Sequence, residues 1–254
     1  MSEKSRKTLS RLGSGLFWLL LWFLLAARVG QELLLPSPLQ VLRTLLCLTE
    51  GMSFWQSVAA SLLRVLAGLL AGCALGLLLG FLTYVSRLTH ALVAPMMTLV
   101  KSTPVASFII LALVWLGRNI VPMCITCLMV LPVVWANVSA GLAAQEPQLR
   151  ELMQVYRLPR LRRFCFLTVP TVLPHFRAAL RSALGLGWKA GIAAEVLTVP
   201  QRSIGRMIYE SKLYLETTEL FAWTLTVILL SLLIEKLLLQ LVGGAERREE
   251  GRHA

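Results

Sequence analysis

Residues 58–83 read VAASLLRVLAGLLAGCALGLLLGFLT, a run rich in Leu, Ala and Gly. A helix needs roughly 20 apolar residues to cross the hydrocarbon core of a bilayer, so this stretch is long enough to span one. Gly68, Gly72, Gly76 and Gly80 recur at i+4, which places them on one helix face. Small residues at that spacing let a second helix backbone approach closely, and close packing is what joins helices in lipid. The stretch therefore predicts a membrane helix packed against a neighbour, and it carries no information about a solute.

The rest of the chain agrees with that reading. Of its 254 residues 57% are hydrophobic and 15% charged, and the mean hydropathy is +0.72. Soluble domains sit near about 45–50% apolar and about 25% charged. Disorder, coiled coil and most soluble enzymes are excluded, and six apolar blocks leave no room for a separate soluble catalytic domain. Spans are expected at about 15–35, 58–83, 91–116 (interrupted by Lys101-Ser-Thr-Pro104), 120–141, 175–197 and 219–242. The fold class is all-α, a polytopic membrane helix bundle of about six spans. A single transmembrane domain, 15–242, lies between a basic N-tail, 1–14, and a polar tail, 243–254.

Net charge is +12, but the basic residues stand between and beside apolar blocks, so membrane orientation explains them and nucleic acid is not an expected partner. Lys4, Arg6, Lys7 and Arg11 precede the first block as in a signal peptide. No small-residue cleavage site follows it, so the block reads as an uncleaved span with its N-terminus in the cytoplasm. With that orientation, the inside segments 1–14, 84–91, 142–173 and 243–254 hold 13 Lys/Arg, against 5 in the outside segments 34–57, 117–120 and 198–218. The bias places both termini in the cytoplasm.

All 13 acidic residues are Glu, which removes Asp-based triads, EF-hands and Walker B aspartates. Cys124 and Cys127 form a C-x-x-C inside an apolar run, with no second pair or His cluster nearby, and read as packing residues. No metal site or catalytic constellation is expected. Pro36-Ser37-Pro38 breaks the chain ahead of a short amphipathic surface helix over 39–49. Trp115, Trp135, Trp188 and Trp223 stand near expected span ends, where interfacial belts place Trp.

The cytoplasmic stretch 142–173 is too patterned to be a plain connector. Pro147 suits the first turn of a helix. Leu149, Leu152, Met153 and Tyr156 then recur at i, i+3, i+4 and i+7, an amphipathic stripe, until Leu158-Pro159 stops it. A second basic piece, 160–168, is expected to end at Pro170. The stripe needs a cover, either the bilayer interface or a cytoplasmic partner protein.

This stretch resembles the cytoplasmic loop of ATP-binding-cassette (ABC) importer permeases, whose pattern is Glu-Ala-Ala, three residues, Gly, then a spacer closing on Leu-Pro. Glu151 holds the Glu position, Leu152 and Met153 stand for the alanines, Arg157 for the Gly and Val169-Pro170 for the closing pair. Residues 35–41, 61–68 and 183–195 are similar to blocks of the nitrate/sulfonate/taurine-type permeases, and Lys101-Ser-Thr-Pro104 resembles their basic–x–x–Pro element. The resemblance runs over about 33–240. It implies a type I importer fold in a bacterial cytoplasmic membrane, with two copies of the chain forming the path. A cytoplasmic ABC ATPase dimer would dock on the loops, and an extracellular or periplasmic solute-binding protein would deliver a small solute, a nitrate-, sulfonate- or taurine-like anion or a related small nutrient such as a pyrimidine vitamin precursor. The chain carries no phosphate-binding G-x-x-x-x-G-K-[ST] loop, so it is expected to be no enzyme and to hold no cofactor, with ATP and Mg on the partner. The alternative is an ATP-independent secondary transporter or channel, which would call for several intramembrane acids and an internal repeat.

Lys101, Lys189 and Glu195 are ionisable residues inside apolar blocks, and with Pro104 they are candidates to line the path. Snorkelling or a structural ion pair is the competing explanation. Lys189 and Glu195 are six residues apart, about 240° around a helix, so any partner lies on another element.

Overall fold

The computed structural model describes residues 3–156 and 159–250. Among them every regular element is a helix. In order these are α1 (Glu3–Val29), α2 (Pro38–Glu50), α3 (Met52–Val85), α4 (Arg87–Ser102), α5 (Val105–Trp115) and α6 (Val121–Ala143), followed by α7 (Pro147–Val155), α8 (Arg160–Arg163), α9 (Val169–Thr198), α10 (Ile204–Leu213) and α11 (Thr217–Glu250). A π-turn, Phe164–Thr168, joins α8 to α9.

α3, α6 and the Thr217–Leu237 part of α11 are long and apolar enough to cross a membrane. Gly13–Val29 of α1 is a shorter apolar helix, and α9 is a 30-residue helix carrying several charges. The first span, expected to run to 35, stops at Val29 because Gly30 turns the chain with φ +64°. The expected span 91–116 is not straight. It is two helices, α4 and α5, meeting at 108°. Pro104 lacks the N–H to continue the helix and keeps Thr103 extended, at φ −83° and ψ 133°. α11 continues through the expected tail to Glu250.

The centre of the bundle is the packing of α3, α6 and α9. The glycine face of α3 receives a ridge of β-branched residues on α6. An added Cβ at Gly72 would lie 2.8 Å from the Val130 Cβ, at Gly76 2.7 Å from the Val134 Cβ, and at Gly80 2.7 Å from a Val138 methyl. Two i+4 rows, one of gaps and one of knobs, mesh along the membrane. Leu69, Cys73, Val130, Val134, Val138, Ala179 and Ala183 form the resulting core.

A second core joins α2, α3, α9, α10 and α11. Ser37 caps α2, with Gln40 reaching back to the Ser37 N–H at 2.8 Å, so the amphipathic helix expected at the surface is pinned at its start. It lies against the bundle, burying Val41 and Leu45. Trp188 and Trp223 are core residues, and not part of an interfacial belt. Trp223 stacks on Phe54 at 4.9 Å, and the Trp188 Nε1–H donates to the Val227 carbonyl at 3.3 Å. A third cluster sets Val100 and Ile109 of the bent pair against Ala190 and Ala194 of α9.

Candidate coupling segment and translocation face

Within 142–173 most residues are helical. α6 runs to Ala143, α7 occupies Pro147–Val155, and from Arg160 the chain winds through the π-turn into α9. The second basic piece therefore does not end at Pro170. Pro170 sits in the first turn of α9, where its missing N–H is tolerated. Widening to a π-turn over 164–168 lets the helix pass a proline that has no N–H to give.

The start of α7 is held by two bonds of Gln145. The Tyr84 hydroxyl donates to its Oε1 at 3.5 Å, and its Nε2–H donates to the Thr168 Oγ1 at 3.3 Å. Beyond that tether α7 makes no extended contact with another helix among the described residues. Leu149, Leu152 and Tyr156 are exposed, Leu152 at 53% and Tyr156 at 72%, while Met153 is half-buried. Glu151 is exposed on the same helix, and Pro159 and Pro170 are exposed. Tyr156 lies in the turn after α7. Arg157 and Leu158 lie outside the described residues.

Lys101 occupies the last turn of α4, exposed, beside exposed Ser102 and Pro104. Lys189 is exposed midway along α9, on the face that also carries Ser182, Gly185 and Ala193. Nothing stands within 4 Å of a Cβ built on Gly185, so this face is open in the single chain. The two lysines flank one apolar cluster, because Val100 and Ala190, their neighbours in sequence, both pack in it.

Glu195 is separate from them. It is fully buried, with its Oε1 3.2 Å from an Arg64 guanidinium nitrogen. Its Oε2 accepts from the Ser61 hydroxyl at 2.6 Å and from the Gly205 N–H at 3.2 Å. Arg64 also donates to the Gln201 carbonyl at 2.6 Å and the Arg202 carbonyl at 3.2 Å, and the Ser61 Oγ accepts the Ile204 N–H at 2.9 Å. Sequence reasoning passed over Arg64 and Ser61. A lone arginine in an otherwise uncharged span was the available signal, since such a charge needs an opposite partner on another helix.

No group of three or more His, Cys or Glu side chains able to hold a metal occurs among the described residues. The arrangement contains an exposed helix at one end, an open lysine-bearing face along α9 and a buried clamp at the other end.

Residues 68–248 match the family model described as binding-protein-dependent transport system inner membrane component. The chain belongs to that family. Over 239 residues, covering 91% of this permease and 86% of the relative, it is 26% identical to the taurine transport system permease protein TauC of Escherichia coli (strain K12). The formylaminopyrimidine transport permease protein ThiX of Halalkalibacterium halodurans is 30% identical over 175 residues, 67% of this chain and 70% of that one. The nitrate import permease protein NrtB of Leptolyngbya laminosa is 30% identical over 153 residues, 59% of this chain and 54% of that one. The permease is thus a multi-pass inner-membrane protein of the ABC import type, all-α in fold.

Proposed function

We propose that this permease is the membrane half of an ATP-driven importer of a small anionic nutrient. Two copies of the chain pair to form the path, with both termini in the cytoplasm. An ABC ATPase dimer docks on 142–173, and a solute-binding protein delivers the solute at the opposite face. The observation that carries this reading is α7, a tethered amphipathic helix whose Leu149, Leu152 and Tyr156 are uncovered by the rest of the chain. An apolar helix face between two spans suits insertion into a groove of a cytoplasmic partner. Glu151 and Arg157 would make charged contacts at the edge of that groove. Pro159 stands just ahead of α8 and Pro170 in the first turn of α9, where the segment rejoins the membrane helix.

Nucleotide binding on the ATPase would move α7 and shift the permease between inward- and outward-open populations, because only a state-dependent contact can move such an equilibrium. Lys101 and Lys189 would line the path, with Pro104 bending the helix pair beside it. Both lysines are exposed, and neither has an ion-pair partner among the described residues. Among the relatives, those named for nitrate, aliphatic sulfonates and bicarbonate carry anions and the taurine permease a sulfonate zwitterion, while the formylaminopyrimidine permease is named for an uncharged class of solute. Glu195, also a path candidate by sequence, is turned instead toward Arg64.

The test is to reconstitute the permease with its ATPase and binding protein in liposomes and to follow labelled taurine and nitrate. Uptake that requires ATP, together with loss of ATPase copurification when Leu152 and Met153 are both changed to Ser, is the expected result. Uptake that continues without ATP would favour a secondary transporter or channel.

A further inference from the structure

α9 is unbroken from Val169 to Thr198, 30 residues or about 45 Å, so it reaches from the cytoplasmic segment to the opposite side of the bilayer. At its far end almost everything nearby is fastened to Glu195. One carboxylate oxygen takes the Ser61 hydroxyl of α3 and the Gly205 N–H of α10, and the other takes Arg64 of α3. Arg64 in turn holds the carbonyls of Gln201 and Arg202, and the Gln201 N–H donates to the Asn119 Oδ1 in the turn between α5 and α6, at 3.1 Å. A Cβ added to Gly205 would overlap the Glu195 side chain and the α9 backbone, so the start of α10 rests directly on α9. Val199 and Arg202 both sit at φ +48°. A left-handed β-branched residue persists only where the surroundings over-determine it.

We propose that Glu195 and Arg64 are positioning residues for transport. They make the 199–203 turn and α10 a rigid extension of α9, so that a displacement entering α9 from the cytoplasmic segment is delivered whole to the outer loops. This rests on the coupling reading above. The clamp stays closed through the cycle, because parting a buried ion pair leaves an uncompensated charge in a low-dielectric setting.

The proposal is tested on the permease assembled with its ATPase in lipid nanodiscs. Its native cysteines are replaced and spin labels placed at Arg181→Cys on α9 and Lys212→Cys on α10, both exposed positions. With labelled permease diluted into unlabelled permease so that one copy per complex carries spins, the expected distance within the chain is a single narrow peak that is the same without nucleotide and with ATP–vanadate. Glu195→Gln and Arg64→Gln should each broaden that peak and lower solute moved per ATP hydrolysed several-fold. A peak in the unmutated pair that shifts with nucleotide overturns the proposal. So does an unchanged peak and an unchanged uptake-to-hydrolysis ratio in both variants. Should a variant fail to reach the membrane, the unmutated pair and Ser61→Ala, which removes one bond and no charge, still decide it. Failure of the coupling reading shows separately, as absence of the ATPase from the purified complex. The peak widths are then read on the permease alone.

Discussion

Gly72 on α3 and Val130 on α6 stand so close that a Cβ on the glycine would lie 2.8 Å from the valine Cβ and 2.9 Å from one of its methyls. No larger residue fits there without parting the helices, and the same relation repeats one turn on at Gly76 and Val134. The packing of α3 on α6 is therefore a steric match, not a consequence of apolar character, which lipid would satisfy equally well.

Gly76→Leu should separate α3 from α6 and abolish or sharply reduce the yield of monodisperse protein. Gly76→Ala, whose single methyl meets Val134, should cost about 1–3 kcal/mol as an overpacked core does. Leu78→Ala, at an exposed position of the same helix, should be near neutral. Melting in detergent, followed by size-exclusion fluorescence, orders the three. Equal melting points for all three would refute the seam.

Val199 ends α9 in the left-handed region at φ +48°. Val199→Gly should relieve that strain and stabilise the permease by up to about 1 kcal/mol, the gain being offset in part by the entropy of glycine. Val199→Pro cannot adopt the angle and should destabilise strongly. The contrast is read as opposite shifts in melting temperature, and a loss of stability in both would show that the turn is not strained.

Tyr214 follows α10 and is exposed, so in a background without native cysteines Tyr214→Cys should react with an impermeant maleimide added outside intact cells. Reaction only after permeabilisation would invert the orientation argued from the Lys/Arg bias.

Lys189→Gln removes the charge from the open face of α9 without filling it. Uptake of an anionic solute should fall about tenfold or more while assembly and ATP hydrolysis continue, since a charge that faces the path acts on the solute and not on the fold. Unchanged uptake kinetics across a range of solute concentrations would make Lys189 a surface residue.

What could be read from sequence followed from periodicity. The glycines at 68, 72, 76 and 80, the stripe at 149, 152, 153 and 156 and the break at Lys101–Pro104 each repeat or interrupt a helical pattern, and the structure places each on a helix face or at a helix end. What escaped was pairing between distant elements. Glu195 and Arg64 are 131 residues apart, and nothing local tells a buried acid which base it meets. The run through Pro170 escaped for a different reason. A proline does not always end a helix, and at Pro170 the preceding π-turn leads the chain straight into α9.

Thr126 on α6 is wholly buried, where three helices meet. Its Cβ would be 2.7 Å from a Cβ on Gly68 of α3, and its Oγ1 2.6 Å from one on Gly191 of α9. In genetic terms these positions on three helices behave as one locus. A methyl gained at Gly191 meets both the Thr126 Oγ1 and a Val65 methyl at 2.7 Å, so Thr126→Ala and smaller residues at 65 should appear among second-site revertants of Gly191→Ala. Gly68 stays closed even in that background, because a Cβ there meets the Met123 carbonyl oxygen and the Cβ that alanine keeps at 126. What any one of these helices can accept here is written in the residues of the other two.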